Sequence, residues 1–470
     1  MLYEQAPQLA YRYRDFTIAL RKETVPSRGD PYTAFVTEAD GRELKGTFSN
    51  PLSPTELSIA VASIRAGGNV LQRSVPEESL DPVKDMGSRL YDALFHGSLG
   101  RAFLQALDSP DEGVRLRLVL EDEDAAALPW EFLYDRRRDD FLVLSTRSPL
   151  VRRSVGPAAG QGKGNEPAAP LQAPARVLVA VADVTGVWDV DKELDALKAA
   201  AAHSRNGEVE VLETATASSF EKALLTYRPH LVHLIATGVE EGERGFGPFR
   251  QRLAFLASEK PAASASRQHV LLDGKRLADL FARTDDLRVV ILNGCNTDTL
   301  AGVVASSVPA TAGHRGDITD QAAVAFTEGF YSALLNGLPL EAAVTGGRLA
   351  IDSRDPGGRE WSAAVMYLQT SDGAFLQATT DGAGKTATAA KVRDVLAAPP
   401  ERAPQEGMDR ERQSLLSLLK MHQSNLDALN AQRERLATPP PFLLEQIDTT
   451  TAEIERLQEL VSTGPDTATA

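Results

Sequence analysis

A single cysteine, Cys295, directly follows a run of β-branched and aliphatic residues in this chain of 470 residues. Residues 288–297 read RVVILNGCNT, which predicts a buried strand ending in an Asn-Gly turn that carries the thiol. A second apolar run, residues 230–238, ends at Thr237, which lies 58 residues before the cysteine. In one known catalytic arrangement, the histidine that acts as the general base lies about 50 residues before the cysteine nucleophile. The spacing therefore predicts a thiol nucleophile site in which a threonine occupies the position of the general base.

Thr237 cannot replace an imidazole as the partner of a thiol. A threonine hydroxyl does not accept a proton near neutral pH, whereas a histidine side chain does. Cys295 would then depend on its own pKa, and an ordinary thiol with a pKa of ~8.5 is only a few per cent ionised at pH 7. Loss of a general base lowers a rate by about 10² to 10⁴. Activity would therefore be lowered but need not vanish.

Two other histidines lie on the predicted elements around the thiol. His233 lies four residues upstream of Thr237 in the same strand, which is roughly 13 Å at about 3.3 Å per residue, and we expect a core side chain there. His314 falls in a loop after the next strand and therefore near the same edge of the sheet. His314 is the candidate for a substitute base.

Composition excludes several functional classes. The formal net charge is −15 and the chain has no Lys/Arg-rich block, so nucleic acid is not expected as the main partner. One cysteine excludes an internal disulfide and fits a reducing cytosol. The N-terminus shows no signal-peptide pattern, and no apolar run approaches the ~18 residues that a membrane helix needs. We therefore expect a soluble, cytoplasmic chain without membrane contact.

No cofactor or metal is expected. Residues 382–386 read GAGKT and imitate the end of a phosphate-binding loop, but the leading glycine of that motif is replaced by Thr379. No Cys/His cluster indicates zinc.

Changes in composition divide the chain into six parts. A Gly/Pro/Ala-rich run separates an N-terminal α+β module from a middle segment in which strand and helix patterns alternate. Continuous apolar strands that alternate with helices predict a mostly parallel sheet covered by helices on both faces. The predicted parts are the module at 1–155, a linker at 156–174, the α/β domain at 175–378, a linker at 379–409, a helical hairpin at 410–461 and a tail at 462–470.

The predicted hairpin rests on a heptad repeat. Apolar residues recur at alternating steps of four and three, with Pro439 ending the first helix, so two antiparallel helices are expected. His422 and Arg433 occupy seam positions that a fully buried core would disfavour. We therefore expect residues 410–461 to pair with a copy of themselves or with a partner protein. The alternative is a terminal hairpin that packs on its own protein.

The middle segment resembles the CHAT domain, a bacterial branch of the caspase-like clan CD cysteine peptidases. The matching segments are HLIATG at 233–238 for the family's H-x-x-G-H-G, LNGC at 292–295 for its L-N-A-C, FTEGFY at 326–331 followed by NG at 336–337, the Ala343–Arg348 helix and the Trp361–Tyr367 strand. The pattern RLRL at 115–118 and LPWEFLY at 128–134 is similar to the segment that often precedes this domain.

This resemblance gives a role to each candidate site residue. It implies that Cys295 stands at the nucleophile position, that Thr237 replaces the catalytic histidine, and that Gly238 supplies an oxyanion-hole amide. It leaves two functions open. One is a pseudo-protease that acts as a protein-binding or adaptor subunit in bacterial conflict (defence) or signalling, because residues 418–429 resemble hairpins that join modules in such proteins. The other is an active caspase-like cysteine endopeptidase with a non-standard or partner-supplied base.

Overall fold

The computed structural model describes most of the first 377 residues. The described residues are 13–22, 32–37, 43–53, 82–108, 112–154, 169–184, 188–241, 250–258 and 268–377, with the isolated positions 56, 57, 64 and 451. The predicted linker at 379–409, hairpin at 410–461 and tail at 462–470 lie outside the described residues, apart from Thr451. The elements named below belong to one compact unit; a second unit, residues 185–189, 262–267 and 398–470, includes only positions 188, 189 and 451 of those described.

The strands of the described residues form one large sheet and two small ones. In chain order they are β1 Tyr13–Lys22, β2 Tyr32–Thr37, β3 Glu43–Phe48, β4 Gly113–Leu120, β5 Tyr134–Asp135, β6 Asp140–Phe141, β7 Leu150–Arg153, β8 Ala175–Ala182, β9 Gly207–Leu212, β10 Leu231–Ala236, β11 Gly238–Glu241, β12 Arg250–Leu256, β13 His269–Asp273, β14 Val289–Asn293, β15 Ala310–His314 and β16 Ala364–Leu368. The large sheet has eleven strands in the order β3-β2-β1-β4-β7-β16-β15-β14-β10-β8-β9. Its pairings are parallel except at β1–β2, β2–β3 and β15–β16.

Helices connect these strands. They are α1 Pro82–Leu94, α2 Gly97–Leu107, α3 Glu123–Ala127, α4 Val190–Ser204, α5 Ala217–Tyr227, α6 Gly274–Ala282, α7 Asp298–Val304, α8 Asp320–Leu334 and α9 Leu340–Arg354, with 3-10 turns at Trp130–Phe132, Leu142–Leu144 and Glu360–Ala363. The side chains of Thr216 and Ser219 form a reciprocal cap at the start of α5, and Asp273 caps α6. The sequence predicts helical periodicity throughout 83–107, but Gly97, with φ of 60°, begins a separate helix.

Helices cover both faces of the sheet, which confirms the predicted fold class. Alternate strand residues such as Leu178, Val232 and Leu292 form one apolar cluster with residues of α5, α6 and α7. The intervening strand residues face α4 and α8, and α8 packs against α4 and α9. Because both faces are covered, every residue of β10 and β14 is buried, as parallel strands require.

The N-terminal strands and the α/β segment share this one sheet. β7 lies between β4 and β16, so strands from both sides of residues 156–174 are hydrogen-bonded neighbours. Buried arginines reinforce this junction: Arg117 donates to the carbonyl oxygens of Leu368 and Thr370 at 2.8 and 2.9 Å. Arg115 pairs with Glu341 at 2.6 Å. The N-terminal module predicted at 1–155 therefore contributes strands to the same sheet as the predicted 175–378 domain.

Candidate functional site

Cys295 and Thr237 follow neighbouring parallel strands. β14 pairs with β10 so that Asn293 lies opposite Ile235, which brings the positions two residues later, 295 and 237, to the same edge. The backbone N–H of Gly238 donates to the carbonyl oxygen of Cys295 at 2.9 Å. The two strand ends are therefore directly hydrogen-bonded.

Two glycines permit this close approach. A methyl group on Gly294 would overlap the carbonyl oxygen of Ala236, and one on Gly238 would overlap that of Asn296. Asn296 itself adopts a left-handed conformation with φ of 54°, which asparagine tolerates better than most residues. Local backbone geometry thus fixes the turn that presents Cys295.

The thiol of Cys295 lies against the loop that joins β15 to α8. The Ile318 N–H donates to Sγ at 3.5 Å, and the thiol donates to the Ile318 carbonyl oxygen at 3.7 Å. Asn296 fixes the same loop, because its amide donates to Asp317 Oδ1 at 3.0 Å and its backbone N–H donates to Gly316 O at 2.8 Å. Cys295 is only half-buried. Its accessibility therefore depends on where this loop lies.

Thr237 offers no base to this thiol. Its hydroxyl oxygen is buried and has no hydrogen-bond partner among the described residues. Its carbonyl oxygen accepts from Ala254 N–H at 3.0 Å, which ties the strand end to β12.

His314 is the last residue of β15, one strand away from Cys295, and does not lie in the loop after this strand as the sequence predicts. Its side chain is 1% exposed and packs edge-on against Phe326, with ring centroids 5.1 Å apart. Neither ring nitrogen makes a hydrogen bond of normal geometry within the described part of the chain. Burial lowers the pKa of His314 to about 4, so the ring is neutral at pH 7. The proposed substitute base is thus close in topology but has no hydrogen bond to the thiol.

His233 belongs to a buried polar network behind the site. Its Nε2 lies 2.8 Å from Glu193 Oε1, and its Nδ1 lies 3.1 Å from the Tyr331 hydroxyl. The same Glu193 oxygen accepts from Thr327 Oγ1 at 2.9 Å and from the Asn293 amide. The network ties α4, β10, β14 and α8 together immediately below the cysteine turn. Both nitrogens of His233 are occupied, in agreement with the expected core side chain.

The amide of Gly238, the predicted oxyanion donor, is already engaged. Its N–H donates to the carbonyl oxygen of Cys295, so an incoming oxyanion would have to replace that hydrogen bond. In the present geometry the amide stabilises the joined strand ends.

Sequence reasoning missed a buried polar cluster after the cysteine. Asp298, the first residue of α7, pairs with Arg315 at 3.1 Å and accepts from the Gln251 amide at 3.2 Å. Gln251 Oε1 in turn accepts from the N–H groups of Thr299 and Leu300 at the start of α7. Arg315 also donates to the carbonyl oxygens of residues 126, 127 and 128. No local pattern predicts these contacts, because they join segments that are far apart in sequence.

Glu360 was also missed. It lies in the 3-10 turn before β16 and is 6% exposed. Burial raises the pKa of its carboxyl group to about 7. Its position next to Trp361 of the family-like strand is the only signal that the sequence carries.

Neither a metal site nor a membrane span is found in the described ranges. No three or more His, Cys, Asp or Glu side chains among the described residues are grouped as metal ligands. No helix in that part of the chain is both long and apolar enough to cross a bilayer.

Comparison with solved structures gives two similar chains from crystal structures of the Saccharomyces cerevisiae separase–securin complex, at 3.0 and 2.6 Å resolution. Each has a TM-score of 0.42 and 11% sequence identity, and covers 76% of this chain. The present chain spans about 30% of the length of each separase-complex chain that it matches. Comparison with curated proteins gives no match.

A comparison with protein families assigns residues 84–369 to the CHAT domain. The match includes β4 and β7 as well as all the strands from β8 to β16. It covers the cysteine turn, the buried network behind it and the loop that contacts the thiol. The chain belongs to the CHAT domain family.

Proposed function

We propose that this chain is a pseudo-protease: a CHAT protein that binds other proteins, as an adaptor subunit in a bacterial conflict (defence) or signalling system of the cytoplasm. The observation that carries the proposal is the surroundings of the Cys295 thiol. Position 237 offers a buried threonine hydroxyl, both nitrogens of His233 are used elsewhere, and His314 makes no hydrogen bond to sulfur. A threonine at the histidine position cannot take the thiol proton near neutral pH, and loss of that general base lowers a rate by about 10² to 10⁴.

Restoring the missing imidazole tests this reading. We expect the purified chain to leave a mixed peptide library uncut, and Thr237→His to raise the alkylation rate of Cys295 at pH 7 by lowering the thiol pKa. Thr237→Gln is the matched control, because it adds similar bulk without a base. An equal rate in the two variants would show that the positions are not organised as a dyad. Cleavage by the unmodified chain that is lost in Cys295→Ala would refute the pseudo-protease proposal.

One observation favours the second candidate, an active cysteine endopeptidase. Neither ring nitrogen of His314, at the end of the strand next to β14, has a hydrogen-bond partner of normal geometry among the described residues. An unpaired buried polar group costs about 1–3 kcal/mol, so a rearrangement that brings the ring to the thiol would recover part of that energy. If a partner induces such a change, cleavage should appear only with the partner present. His314→Phe should then abolish cleavage while leaving partner binding intact.

The partner-binding half of the proposal rests on residues 410–461. We propose that this predicted hairpin mediates self-association or partner binding. Deletion of residues 406–470 removes nothing from the described sheet, which ends with β16. We expect the truncated chain to keep its unfolding transition and to lose association in light scattering. Leu426→Asp, in the predicted seam, should act similarly, and Ser424→Asp is the control beside it. Association that survives both changes would exclude this role.

A further inference from the structure

The carboxyl group of Glu360 is hydrogen-bonded to the loop of residues 315–319, which contacts the Cys295 thiol. Its Oε1 accepts from the Thr319 N–H at 2.6 Å, and its Oε2 accepts from Thr319 Oγ1 at 3.0 Å. Both oxygens of this buried carboxyl group are therefore bound to one residue. Thr319 is the N-cap of α8, where its hydroxyl oxygen also accepts from Ala322 N–H at 3.2 Å.

Thr319 is adjacent to Ile318, whose backbone contacts Cys295 Sγ. The other end of the loop is held by the same 3-10 turn, because Arg315 N–H donates to Ala363 O at 2.8 Å. The turn at Glu360–Ala363 thus holds the 315–319 loop at both ends, with the thiol beneath it. Asn296 also holds the middle of the loop through Gly316 O and Asp317 Oδ1, and the Arg315 side chain pairs with Asp298. At the Ile318–Thr319 end, which contacts the thiol, Glu360 is the titratable side chain bound to Thr319.

The surroundings of Glu360 hold no basic partner for its carboxyl group in the described part of the chain. On its own segment, Arg359 donates to the carbonyl oxygens of residues 357 and 358, and Asp355 adds a like charge. On α9, Arg348 donates to Ala364 O. From the 3-10 turn at 130–132, Glu131 is paired with Arg152, and Asp320 begins α8.

We propose that Glu360 is a positioning residue for the Cys295 thiol, and that its carboxyl group keeps the 315–319 loop closed when protonated and releases it when ionised. The proposal holds whether or not the thiol is catalytic, because it concerns only access to sulfur. The two Thr319 donors favour the carboxylate, but the cost of burying a charge without a cation outweighs them, and the protonated acid can still accept from the Thr319 N–H and donate to the Thr319 hydroxyl oxygen.

The direction of the effect follows from linkage. In the closed loop the pKa of Glu360 is about 7, and in a solvent-exposed loop it returns to 4.5. The closed form therefore binds the proton more tightly, and its stability relative to the open form falls as pH rises from 4.5 to about 7. A difference of this size corresponds to roughly a 300-fold change in the closed–open equilibrium at full ionisation.

Cys295 is the only cysteine, so the rate of its reaction with a pyridyl disulfide reports loop opening directly. We would measure this rate from pH 4 to 9 in the full chain, in Glu360→Gln and in Glu360→Ala. Glutamine imitates the protonated acid, so its loop should stay closed at every pH. Alanine removes the Glu360–Thr319 hydrogen bonds, so the Ile318–Thr319 end of its loop, which contacts the thiol, should be open at every pH. The ratio of the wild-type rate to the glutamine rate cancels the ordinary ionisation of the thiol.

We expect this ratio to rise from about 1 near pH 4 to between 10-fold and 300-fold above pH 7, where the wild-type rate should approach that of Glu360→Ala. Asp352→Asn is the matched control: burial also raises the pKa of this carboxyl group on α9, and it should leave the profile unchanged. Thr319→Val keeps the N–H and removes the hydroxyl, and should give faster reaction at acidic pH if the alanine variant does not fold. A ratio that stays near 1 from pH 4 to 9, or equal rates in the glutamine and alanine variants, would overturn the proposal.

Discussion

The buried ion pair between Glu131 and Arg152 should be the most sensitive electrostatic contact in the fold. Arg152 lies on β7, and Glu131 lies in the 3-10 turn that follows α3; their side chains are 1% and 2% exposed. Three hydrogen bonds of 3.1, 2.9 and 2.6 Å join them. Glu131→Gln keeps the shape but leaves the guanidinium buried without its counter-charge.

The structure sets the size of the expected loss. Removing one partner of a buried pair costs about 3–5 kcal/mol. Glu131 also stabilises the charge on Arg348, whose pKa is lowered to about 10 by burial and whose Nε has no hydrogen-bond partner among the described residues. Because Glu131 stabilises the charges of both Arg152 and Arg348, we expect the loss of unfolding free energy in Glu131→Gln to lie near the upper end of that range. This is a large part of an ordinary unfolding free energy of about 5–15 kcal/mol.

Urea unfolding followed by tryptophan fluorescence would measure this loss, because the fully buried Trp130 is next to Glu131. Glu328→Gln is the control, since the Glu328–Arg354 pair is 53% and 32% exposed and should contribute only about 0–1 kcal/mol. Replacing both Glu131 and Arg152 by leucine should recover most of the stability. If Glu131→Gln loses no more than Glu328→Gln, the account of this junction is wrong.

Three further changes test the site. Gly294→Ala should lower the free energy of unfolding by about 1–3 kcal/mol or more, because the added methyl group would overlap Ala236 O. Gly207→Ala is the control, since its methyl group would meet the flexible Leu335 methyls and, at ordinary contact distance, Ala201 Cβ. Equal losses in thermal melts would refute the close approach. Because burial lowers the pKa of His314 to about 4, the wild type should lose about 3 kcal/mol of unfolding free energy as pH falls from 6.5 to 4. His314→Phe should lack that loss when both proteins are unfolded in urea at each pH. For Glu360 the pH dependence should be reversed: the wild type should lose unfolding free energy relative to Glu360→Gln as pH rises from 4.5 to 7. If the unfolding free energies of the two proteins change in parallel with pH, the raised pKa of Glu360 is contradicted.

Local patterns predicted the central strands well. The apolar runs predicted as strands at residues 230–238 and 288–297 contain β10 and β14. Continuous apolar runs mark strands that are buried on both faces, and that signal needs no knowledge of distant residues. The adjacency of Cys295 and Thr237 follows from the same runs, because parallel strands end at one edge.

Other elements carried no comparable signal. β13 is largely exposed, and it pairs with β12 in a small sheet separate from the large one. Gln251 on β12 nevertheless caps α7, the helix that follows the cysteine. Glu360 reaches Thr319 across 41 positions. Such contacts depend on tertiary packing, and neither periodicity nor propensity encodes them.

The single continuous sheet has a consequence for dissecting the molecule. The family match begins at residue 84, yet β4 pairs with β1 along its full length of eight residues. A fragment of residues 84–369 lacks β1, so one hydrogen-bonding edge of β4 loses its partner strand. A fragment that begins at residue 175 lacks β7, so β16 loses its partner strand on that side. Exposed apolar edges recruit other chains, so both fragments should precipitate or form fibrils. A fragment meant to fold on its own should therefore keep β1 and begin no later than Tyr13.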